Sequence, residues 1–222
     1  MNILVIADIH FSIFNPDYTV IDFINNRNSS FDKIILLGDT FDFYFPYRRF
    51  IPKEAALFIK KLSDINNHTK VIMIQGNHDP WQDDYFKHFN IEVIRGPLIE
   101  KIGNAHYKLI HGHEMFMHKP KNRLVHAILT HPVNVKLFSM LHPNIAYRLG
   151  HFITKGYASS TSKGKMIESV VSRKEDNDEV LVMGHIHKPY ISEDKKLIVT
   201  GDFAKTRSYC IIDSKGVRIE YL

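Results

Sequence analysis

The sequence predicts an α/β protein in which buried strands carry polar side chains to one edge of a sheet. Residues 34–37 form a run of four apolar residues that favour β-structure, and the run ends abruptly in Gly38 and Asp39. Four other apolar runs also end in Asp, Asn or His. Because α/β proteins bind their ligands at the carboxyl ends of the strands, we expect these polar clusters to form one site with Asp39 at its centre.

The five clusters contain side chains that bind divalent metals through oxygen or nitrogen. In chain order they are Asp8-Ile9-His10, Gly38-Asp39-Thr40-Phe41-Asp42, Gly76-Asn77-His78-Asp79, His111-Gly112-His113 and Gly184-His185-Ile186-His187. Each motif alone is weak, since Gly-Asp is also common in turns. Their joint occurrence after five strand-like runs predicts a metal site assembled from the whole chain.

The length and composition favour a single globular domain over residues 1–222. The chain has 222 residues and is 44% hydrophobic, which is enough for one sizeable core. It has no apolar run of the ~18 residues that a transmembrane helix needs. The start at Met1 lacks the basic cluster and apolar run of a signal peptide, so we expect a cytoplasmic protein. Cys210 is the single cysteine, which excludes an intrachain disulfide.

The positive charge is concentrated in one segment. The formal net charge is +5, yet residues 115–167 contain no Asp or Glu. Removing the eight basic residues of this segment from the total of 29 leaves 21 against 24 acidic residues. The eight are Lys119, Lys121, Arg123, Lys136, Arg148, Lys155, Lys163 and Lys165. This distribution predicts that an anionic ligand binds at one place.

Hydrophobic spacing predicts the helices and strands in order. We expect a strand at 3–7, a helix at 17–28, the strand ending at Leu37, a helix from Pro52 to about Asn66 and a strand at 71–75. Asp79-Pro80 then predicts a helix start, and the aromatic stripe that follows is interpreted as core packing. Further strands are expected at 91–94, 98–102, 106–110, 180–183, 197–200, 209–213 and 217–221.

Between Arg123 and Ser169 the apolar spacing becomes helical. The His131-Pro132 and His142-Pro143 steps interrupt this pattern, because proline disfavours helix at the residue before it. We therefore predict a helical lid of two or three short helices, inserted at about 115–167 between the fourth and fifth ligand-bearing strands.

The clusters suit two divalent cations. Such ions lie roughly 3.5–4 Å apart and need a bridging carboxylate, further ligands and room for a water molecule. Asp8 and His10 can face one ion, and Asn77 can offer its amide oxygen to the other. His78 lies beside Asp79, so this carboxylate could orient it as an acid or a stabiliser of charge, and we take both as catalytic candidates.

The complete motif set, in this order, resembles that of the calcineurin-like metallophosphoesterases. The resemblance spans nearly the whole chain and implies a four-layer αββα sandwich with a dinuclear centre. It assigns Asp8, His10, Asp39 and His187 to one metal, and Asp39, Asn77, His111 and His185 to the other. His111 is preferred to His113 because it directly ends its strand. Mn²⁺ is the expected metal, with Fe, Co or Zn also compatible with mixed oxygen and nitrogen ligands.

A narrower resemblance is to the UDP-2,3-diacylglucosamine diphosphatase branch. It is carried by residues 38–45, residues 76–81 and the lid sequence Leu141-His142-Pro143-Asn144. The branch has a helical insertion at this point of the chain and cleaves a lipid-linked nucleotide sugar. The chain departs from many members of the branch at His78, at His113 and at residues 186–189. The expected chemistry is in-line attack on phosphorus by a hydroxide held between the ions, with no phosphoenzyme.

The basic lid provides the candidates for substrate binding. They are Arg123, Arg148, Lys163 and Lys165, together with His113 at the fourth cluster. Arg123 and Arg148 can hold a phosphate with two hydrogen bonds each. A cationic and partly apolar lid also suits a lipid-linked nucleotide or a peripheral contact with the inner face of the membrane.

Two alternatives remain open from the sequence. The first is a phosphodiesterase or nuclease whose lid aromatics stack on bases, with Phe138, Tyr147, Phe152 and Tyr157 as the candidates. The second is a scaffold that keeps the fold without the chemistry. Such a scaffold typically lacks ligands, whereas every expected ligand type is present here. The sequence does not define an oligomeric state.

Overall fold

Two β-sheets stack face to face, and helices cover their outer faces. The protein is described by a computed structural model over residues 1–81, 85–156, 162–174 and 178–222. One hydrophobic core lies between the sheets, and a further core lies under the helices on each outer side. These layers confirm the predicted αββα sandwich.

The first sheet has six strands in the order β11-β10-β1-β2-β3-β4. Strands β1 to β4 are parallel, whereas β10 and β11 add antiparallel neighbours beside β1. The strands are β1 (Ile3–Ile6), β2 (Lys33–Leu37), β3 (Lys70–Ile74), β4 (Glu92–Ile94), β10 (Ser208–Asp213) and β11 (Gly216–Tyr221).

The second sheet has five strands in the order β5-β6-β7-β9-β8. Its central strands β6, β7 and β9 are parallel, and an antiparallel strand closes each edge. The strands are β5 (Leu98–Ile102), β6 (Ala105–Ile110), β7 (Glu179–Met183), β8 (Tyr190–Ile191) and β9 (Leu197–Val199). Strand β8 has only two residues and is not predicted by the sequence pattern.

Alternate side chains of the first sheet enter different cores. In β1, Ile3 and Val5 point into the core between the sheets, and Leu4 and Ile6 point into the core under the helices. That outer core is covered by α1 (Thr19–Asn25) and α2 (Lys53–Asn66). A strand buried on both faces needs apolar residues at every position, which explains the continuous apolar runs of the sequence.

Three consecutive helices lie between β6 and β7 and are called the lid helices below. They are α3 (Pro120–Thr130), α4 (Pro132–Ser139) and α5 (Pro143–Gly156), and a proline begins each one. The breaks predicted at Pro132 and Pro143 are present, whereas the start at Pro120 is not predicted by the sequence pattern. A fourth helix, α6 (Lys163–Val171), follows them but packs on the second sheet. The predicted lid boundary at about 167 therefore falls inside a core helix.

The aromatic segment after the third cluster differs from the prediction. Pro80 and Trp81 lie in a turn, and the helical structure described between Asp79 and Asn90 is one 3-10 turn, Phe86–Phe89. Phe86 enters the core as expected, but Trp81 donates a hydrogen bond to the carbonyl of Leu129 in α3 at 3.2 Å. The aromatic residues therefore divide between the core and the lid helices, a division that spacing along one helix cannot reveal.

Candidate metal centre

The five polar clusters meet at one edge of the sandwich. Asp8, Asp39 and Asn77 follow the neighbouring parallel strands β1, β2 and β3, and the other two clusters follow β6 and β7 of the second sheet. The sheets are joined here, because the backbone N–H of His185 donates to Asp8 Oδ2 at 2.8 Å. The assembly predicted from five separate strand ends is therefore present.

The backbone at these strand ends adopts a conformation that residues with side chains rarely use. Within the described residues, eight non-glycine positions have a positive φ, and five of them belong to the clusters. The five are Asp8, His10, Asp39, His185 and His187, with φ between 48° and 65°. Such strain persists where the surroundings fix it, and it concentrates at functional sites.

Three groups of side chains have potential ligand atoms within 4.8 Å of one another. The groups are Asp8, His10 and His187; His10, Asp39 and His78; and Asp39, His111 and His185. Asp39 belongs to two groups, and its Oδ2 atom lies 3.4 Å from His111 Nε2 and 3.9 Å from His10 Nε2. Asn77 joins the third group through Oδ1, which lies 3.1 Å from His111 Nε2.

Three of the histidines use their two ring nitrogens in the same way. Nδ1 of His10 lies 3.6 Å from Asp42 Oδ1, and Nδ1 of His111 lies 3.0 Å from the carbonyl oxygen of Leu37. Nδ1 of His187 lies 2.9 Å from Asp202 Oδ2. Each Nε2 atom is turned toward Asp8 or Asp39. An acceptor at Nδ1 keeps the proton there and leaves Nε2 free to bind a metal.

Two atoms at the centre lack the partners that buried polar groups normally have. Asp8 Oδ1 and His10 Nε2 are buried, and neither has a hydrogen-bond partner among the described residues. Buried polar atoms are almost always satisfied, so an orphaned carboxylate oxygen beside an orphaned imidazole nitrogen calls for a ligand that both can bind. The donor set of carboxylate, amide oxygen and imidazole fits a divalent cation.

The pKa of His111 indicates that the carboxylates of Asp39 and Asp8 attract positive charge, although burial raises the pKa of Asp8 itself. Burial opposes ionisation of Asp39, but the neighbouring His111 and His78 hold its pKa well below the ordinary value. Burial would lower the pKa of His111, yet the carboxylates of Asp39 and Asp8 raise it to about 10. At His185 burial prevails and lowers the pKa well below its usual range, so this imidazole is neutral.

His78 lies at the centre, but Asp79 does not orient it as predicted. Asp79 is fully buried, and its oxygens accept hydrogen bonds from the N–H groups of Gly76, Thr40 and Phe41. His78 Nδ1 contacts the carbonyl of Asp42 at 3.0 Å instead. The expected Asp79–His78 pair is therefore corrected: Oδ2 of Asp79 joins its loop to the loop after β2, and Oδ1 accepts from Gly76 within the loop after β3.

The predicted substrate-binding residues lie at different distances from the centre. Lys163 Nζ donates to the carbonyl of His187 at 2.6 Å, and the His113 ring lies 5.5 Å from that of His111. Burial lowers the pKa of His113 to about 4, and its Nδ1 atom has no hydrogen-bond partner among the described residues. Arg123, Arg148 and Lys165 are exposed on their helices.

Two residues that support the centre, Asp202 and His151, are not among those predicted from the sequence. Asp202 is buried, pairs with His187 and also accepts a hydrogen bond from the N–H of Thr206 at 2.8 Å. It follows β9 as Gly201-Asp202, the same strand-then-Gly-Asp pattern that identified Asp39, so a local signal was present. His151 of α5 contacts Asp42 at 2.9 Å, and no local pattern marks this contact because 109 residues separate the two.

The aromatic candidates for base stacking are largely engaged elsewhere. Tyr147 is buried and donates to the carbonyl of Phe45 at 2.9 Å, and Phe138 packs against Phe43 and Phe45. Phe152 is exposed, and Tyr157 lies outside the described residues. Two of the four candidates thus hold the lid helices in place.

Known proteins resemble the chain over most of its length. Two curated relatives are UDP-2,3-diacylglucosamine hydrolases. The one from Porphyromonas gingivalis is 21% identical, over 84% of this chain and 82% of its own length. The one from Aliivibrio fischeri is 27% identical, over 91% of each chain.

The fold also resembles a solved structure. Yfce, a phosphoesterase from E. coli, superimposes with a TM-score of 0.51 at 16% identity, over 100% of this chain and 93% of that one. The sequence pattern of the calcineurin-like phosphoesterase family matches residues 1–189, which include every cluster described above. The chain is therefore a hydrolase that belongs to the calcineurin-like phosphoesterase family.

Proposed function

We propose that the protein hydrolyses a phosphoester or diphosphate bond with two divalent cations bound at the candidate metal centre. The observation that carries this proposal is the position of Asp39, whose carboxylate belongs to two ligand groups at once. A carboxylate shared between two groups is what a dinuclear site requires.

We infer that the ligands divide between the two cations as the motif resemblance implies. Asp8, His10, Asp39 and His187 would hold one cation, and Asp39, Asn77, His111 and His185 would hold the other. Divalent cations bound there would polarise phosphoryl oxygens and favour a hydroxide nucleophile near neutral pH. Mixed oxygen and nitrogen ligands support Mn, Fe, Co or Zn, with Mn as the first choice.

His78 is the residue that we place beside the reacting phosphate. Its Nδ1–H donates to the carbonyl of Asp42, so Nε2 is the nitrogen that faces the centre, 3.8 Å from Asp39 Oδ2. A protonated Nε2 at this position would donate a hydrogen bond to a phosphoryl oxygen or to the leaving group. Asp79 contributes indirectly, because it fixes the loops that carry Asp39 and Asn77.

For the substrate we propose a lipid-linked nucleotide of the UDP-2,3-diacylglucosamine type. The names of two curated relatives support it, and so does the segment 115–167, which has basic residues and no acidic ones. Lys163 contacts the carbonyl of His187 and the His113 ring lies beside that of His111, so these two residues would contact the diphosphate. Arg123, Arg148 and Lys165 would bind phosphate groups that extend toward the lid helices.

The lid helices also support a peripheral contact with a membrane. Ten of the nineteen exposed large apolar side chains of the described chain lie on or between these helices. They are Leu124, Ile128, Val133, Leu137, Met140, Leu141, Ile145, Leu149, Phe152 and Ile153. None of the described helices has both the length and the hydropathy of a bilayer-spanning segment. We infer contact with a membrane surface, where the lipid-linked substrate resides.

Hydrolysis by the metal-stripped protein, with Mn²⁺ added back, tests the proposal. UDP-2,3-diacylglucosamine, bis-p-nitrophenyl phosphate and a single-stranded oligonucleotide would be compared as substrates. We expect Mn²⁺-dependent turnover that strongly favours the lipid-linked nucleotide and is abolished in Asp39→Ala. Turnover of the oligonucleotide in preference to the lipid would favour the nuclease alternative and overturn the substrate assignment. Turnover that survives Asp39→Ala would overturn the centre itself.

A further inference from the structure

Asp42 lies between the candidate metal centre and the lid helices. Its Oδ1 atom is 3.6 Å from Nδ1 of His10, a predicted ligand, and its Oδ2 atom is 2.9 Å from Nδ1 of His151 in α5. The backbone N–H of Asp42 donates to the carbonyl of Phe11 at 3.0 Å, which fixes the residue beside the loop after β1. The Asp42 carboxylate therefore contacts the candidate metal centre with one oxygen and the lid helices with the other.

The contact with His10 determines which ring nitrogen is available. Nδ1 of His10 faces Asp42, whereas Nε2 faces the oxygens of Asp8 and Asp39 at 3.9 Å each. An anionic acceptor at Nδ1 favours the tautomer that carries its proton there, so the lone pair of Nε2 points to the centre. Carboxylates placed in this way orient the ring and raise its basicity as a ligand.

The contact with His151 depends on how α5 sits on the core. Gly150 lies directly against Phe43, because a Cβ atom at this glycine would meet the Phe43 ring at 2.4 Å. Tyr147, one turn earlier, is buried and donates to the carbonyl of Phe45. This face of α5 is held against the loop after β2, and His151 is the residue that it presents to Asp42.

We propose that Asp42 and His151 are positioning residues that couple the seating of the lid helices to the orientation of His10. When α5 is seated, His151 holds one oxygen of Asp42 and thereby keeps the other oxygen on His10. When α5 shifts, Asp42 loses its second partner and His10 loses its fixed acceptor. The inference rests on the proposed function, since it gives His10 the role of a metal ligand.

Metal affinity in the full-length protein tests the coupling, measured for Mn²⁺ by competition with a chelator. His151→Phe removes the ring nitrogens but keeps a planar ring, and we expect it to weaken the binding of Mn²⁺ about tenfold. His151→Asn places an amide nitrogen near the position of Nδ1 and is expected to restore affinity. Asp42→Ala should weaken binding at least as much, and His151→Phe should have no further effect in that background.

A control and a separate variant complete the experiment. His142 is an exposed lid histidine that precedes α5, so His142→Phe should bind Mn²⁺ like the wild type. Equal affinity of wild type and His151→Phe, or losses from Asp42→Ala and His151→Phe that add fully, would overturn the coupling. Asp39→Ala isolates the proposed function, because unchanged Mn²⁺ binding in this variant would overturn the centre itself.

Discussion

At the scale of single residues, the candidate centre depends on acceptors behind the histidines as much as on the ligands. His187 contacts Asp8 Oδ1 through Nε2 at 3.4 Å, and its Nδ1 faces Asp202. Burial opposes ionisation of Asp202, but hydrogen bonds from His187 and Thr206 hold its pKa far below the ordinary value. An ionised Asp202 keeps the proton of His187 on Nδ1.

We predict that Asp202→Asn weakens metal binding about tenfold. The asparagine oxygen can still accept from Thr206, but its amide group would donate to Nδ1 of His187 and move the ring proton to Nε2, where a metal should bind. Chelator competition with Mn²⁺ measures the change, and a thermal melt reports whether the fold is intact. Asp194→Asn is the matched control, because Asp194 is an exposed turn carboxylate whose partners are Ser192, Lys196 and Lys174 rather than any predicted ligand. Equal affinities for Asp202→Asn and the control would contradict the tautomer argument.

His78 permits a second prediction at this scale. In His78→Asn the amide nitrogen takes the place of Nδ1 and keeps the contact with the carbonyl of Asp42, but nothing replaces Nε2. We expect kcat to fall by a hundredfold or more while Mn²⁺ affinity stays unchanged, because general acids typically contribute about 10²–10⁴ to the rate. His78 also belongs to a ligand group with His10 and Asp39. A matching fall in Mn²⁺ affinity would make it a ligand and refute its role as an acid.

At the scale of elements, the sequence predicts what is local. Apolar runs that end in Asp, Asn or His identify the strands and the edge where they meet, because parallel strands place their carboxyl ends together. The His131-Pro132 and His142-Pro143 steps identify the starts of α4 and α5. Contacts such as Trp81 with Leu129, or His151 with Asp42, depend on how distant segments pack, and the spacing of residues along one segment carries no information about them.

Gly76, in the loop after β3, lies directly against Asp39, in the loop after β2. Substitution of this glycine tests whether the close approach of the two loops is required. A Cβ atom at Gly76 would lie 2.0 Å from Asp39 Oδ1 and 2.2 Å from Asp39 N, so Gly76→Ala must displace the shared carboxylate. We expect this variant to lose about 1–3 kcal/mol of unfolding free energy and most of its Mn²⁺ affinity, as measured by denaturant unfolding and chelator competition.

Gly164→Ala is the control for this substitution. A Cβ atom at Gly164 meets no heavy atom within 4 Å, and the residue lies in α6, where alanine is favoured over glycine by up to about 1 kcal/mol. The control should keep its metal affinity and be as stable as the wild type or slightly more so. A Gly76→Ala protein with normal stability and affinity would mean that the loops after β2 and β3 can separate without consequence.

At the scale of the whole molecule, charge and exposed apolar surface coincide. The segment 115–167 has no acidic residue, and the lid helices expose ten large apolar side chains. The opposite face of α5 is occupied by its contacts with Phe43 and Phe45, so the apolar residues that point outward are not used to hold the lid helices in place. An anionic lipid surface matches this surface in both charge and hydropathy.

We therefore predict that the protein co-sediments with vesicles of phosphatidylcholine and phosphatidylglycerol, and much less with phosphatidylcholine alone. Each basic residue near an anionic surface contributes about 1 kcal/mol, so added salt should weaken the binding.

Replacing Met140 and Phe152 by serine should reduce binding, because both side chains are 76% exposed. The control substitutions Leu57→Ser and Ile99→Ser, at positions exposed on α2 and β5, should not reduce it. If the Met140/Phe152 and Leu57/Ile99 variants lose vesicle binding equally, the outer face of the lid helices is not a specific lipid contact. A dimer in solution that dissociates when Met140 and Phe152 are replaced would assign that face to a second copy of the chain instead of lipid. Binding that requires both the anionic lipid and the two apolar side chains would place the lid helices, and the candidate metal centre to which His151 and Asp42 link them, at the surface where a lipid-linked substrate would be held.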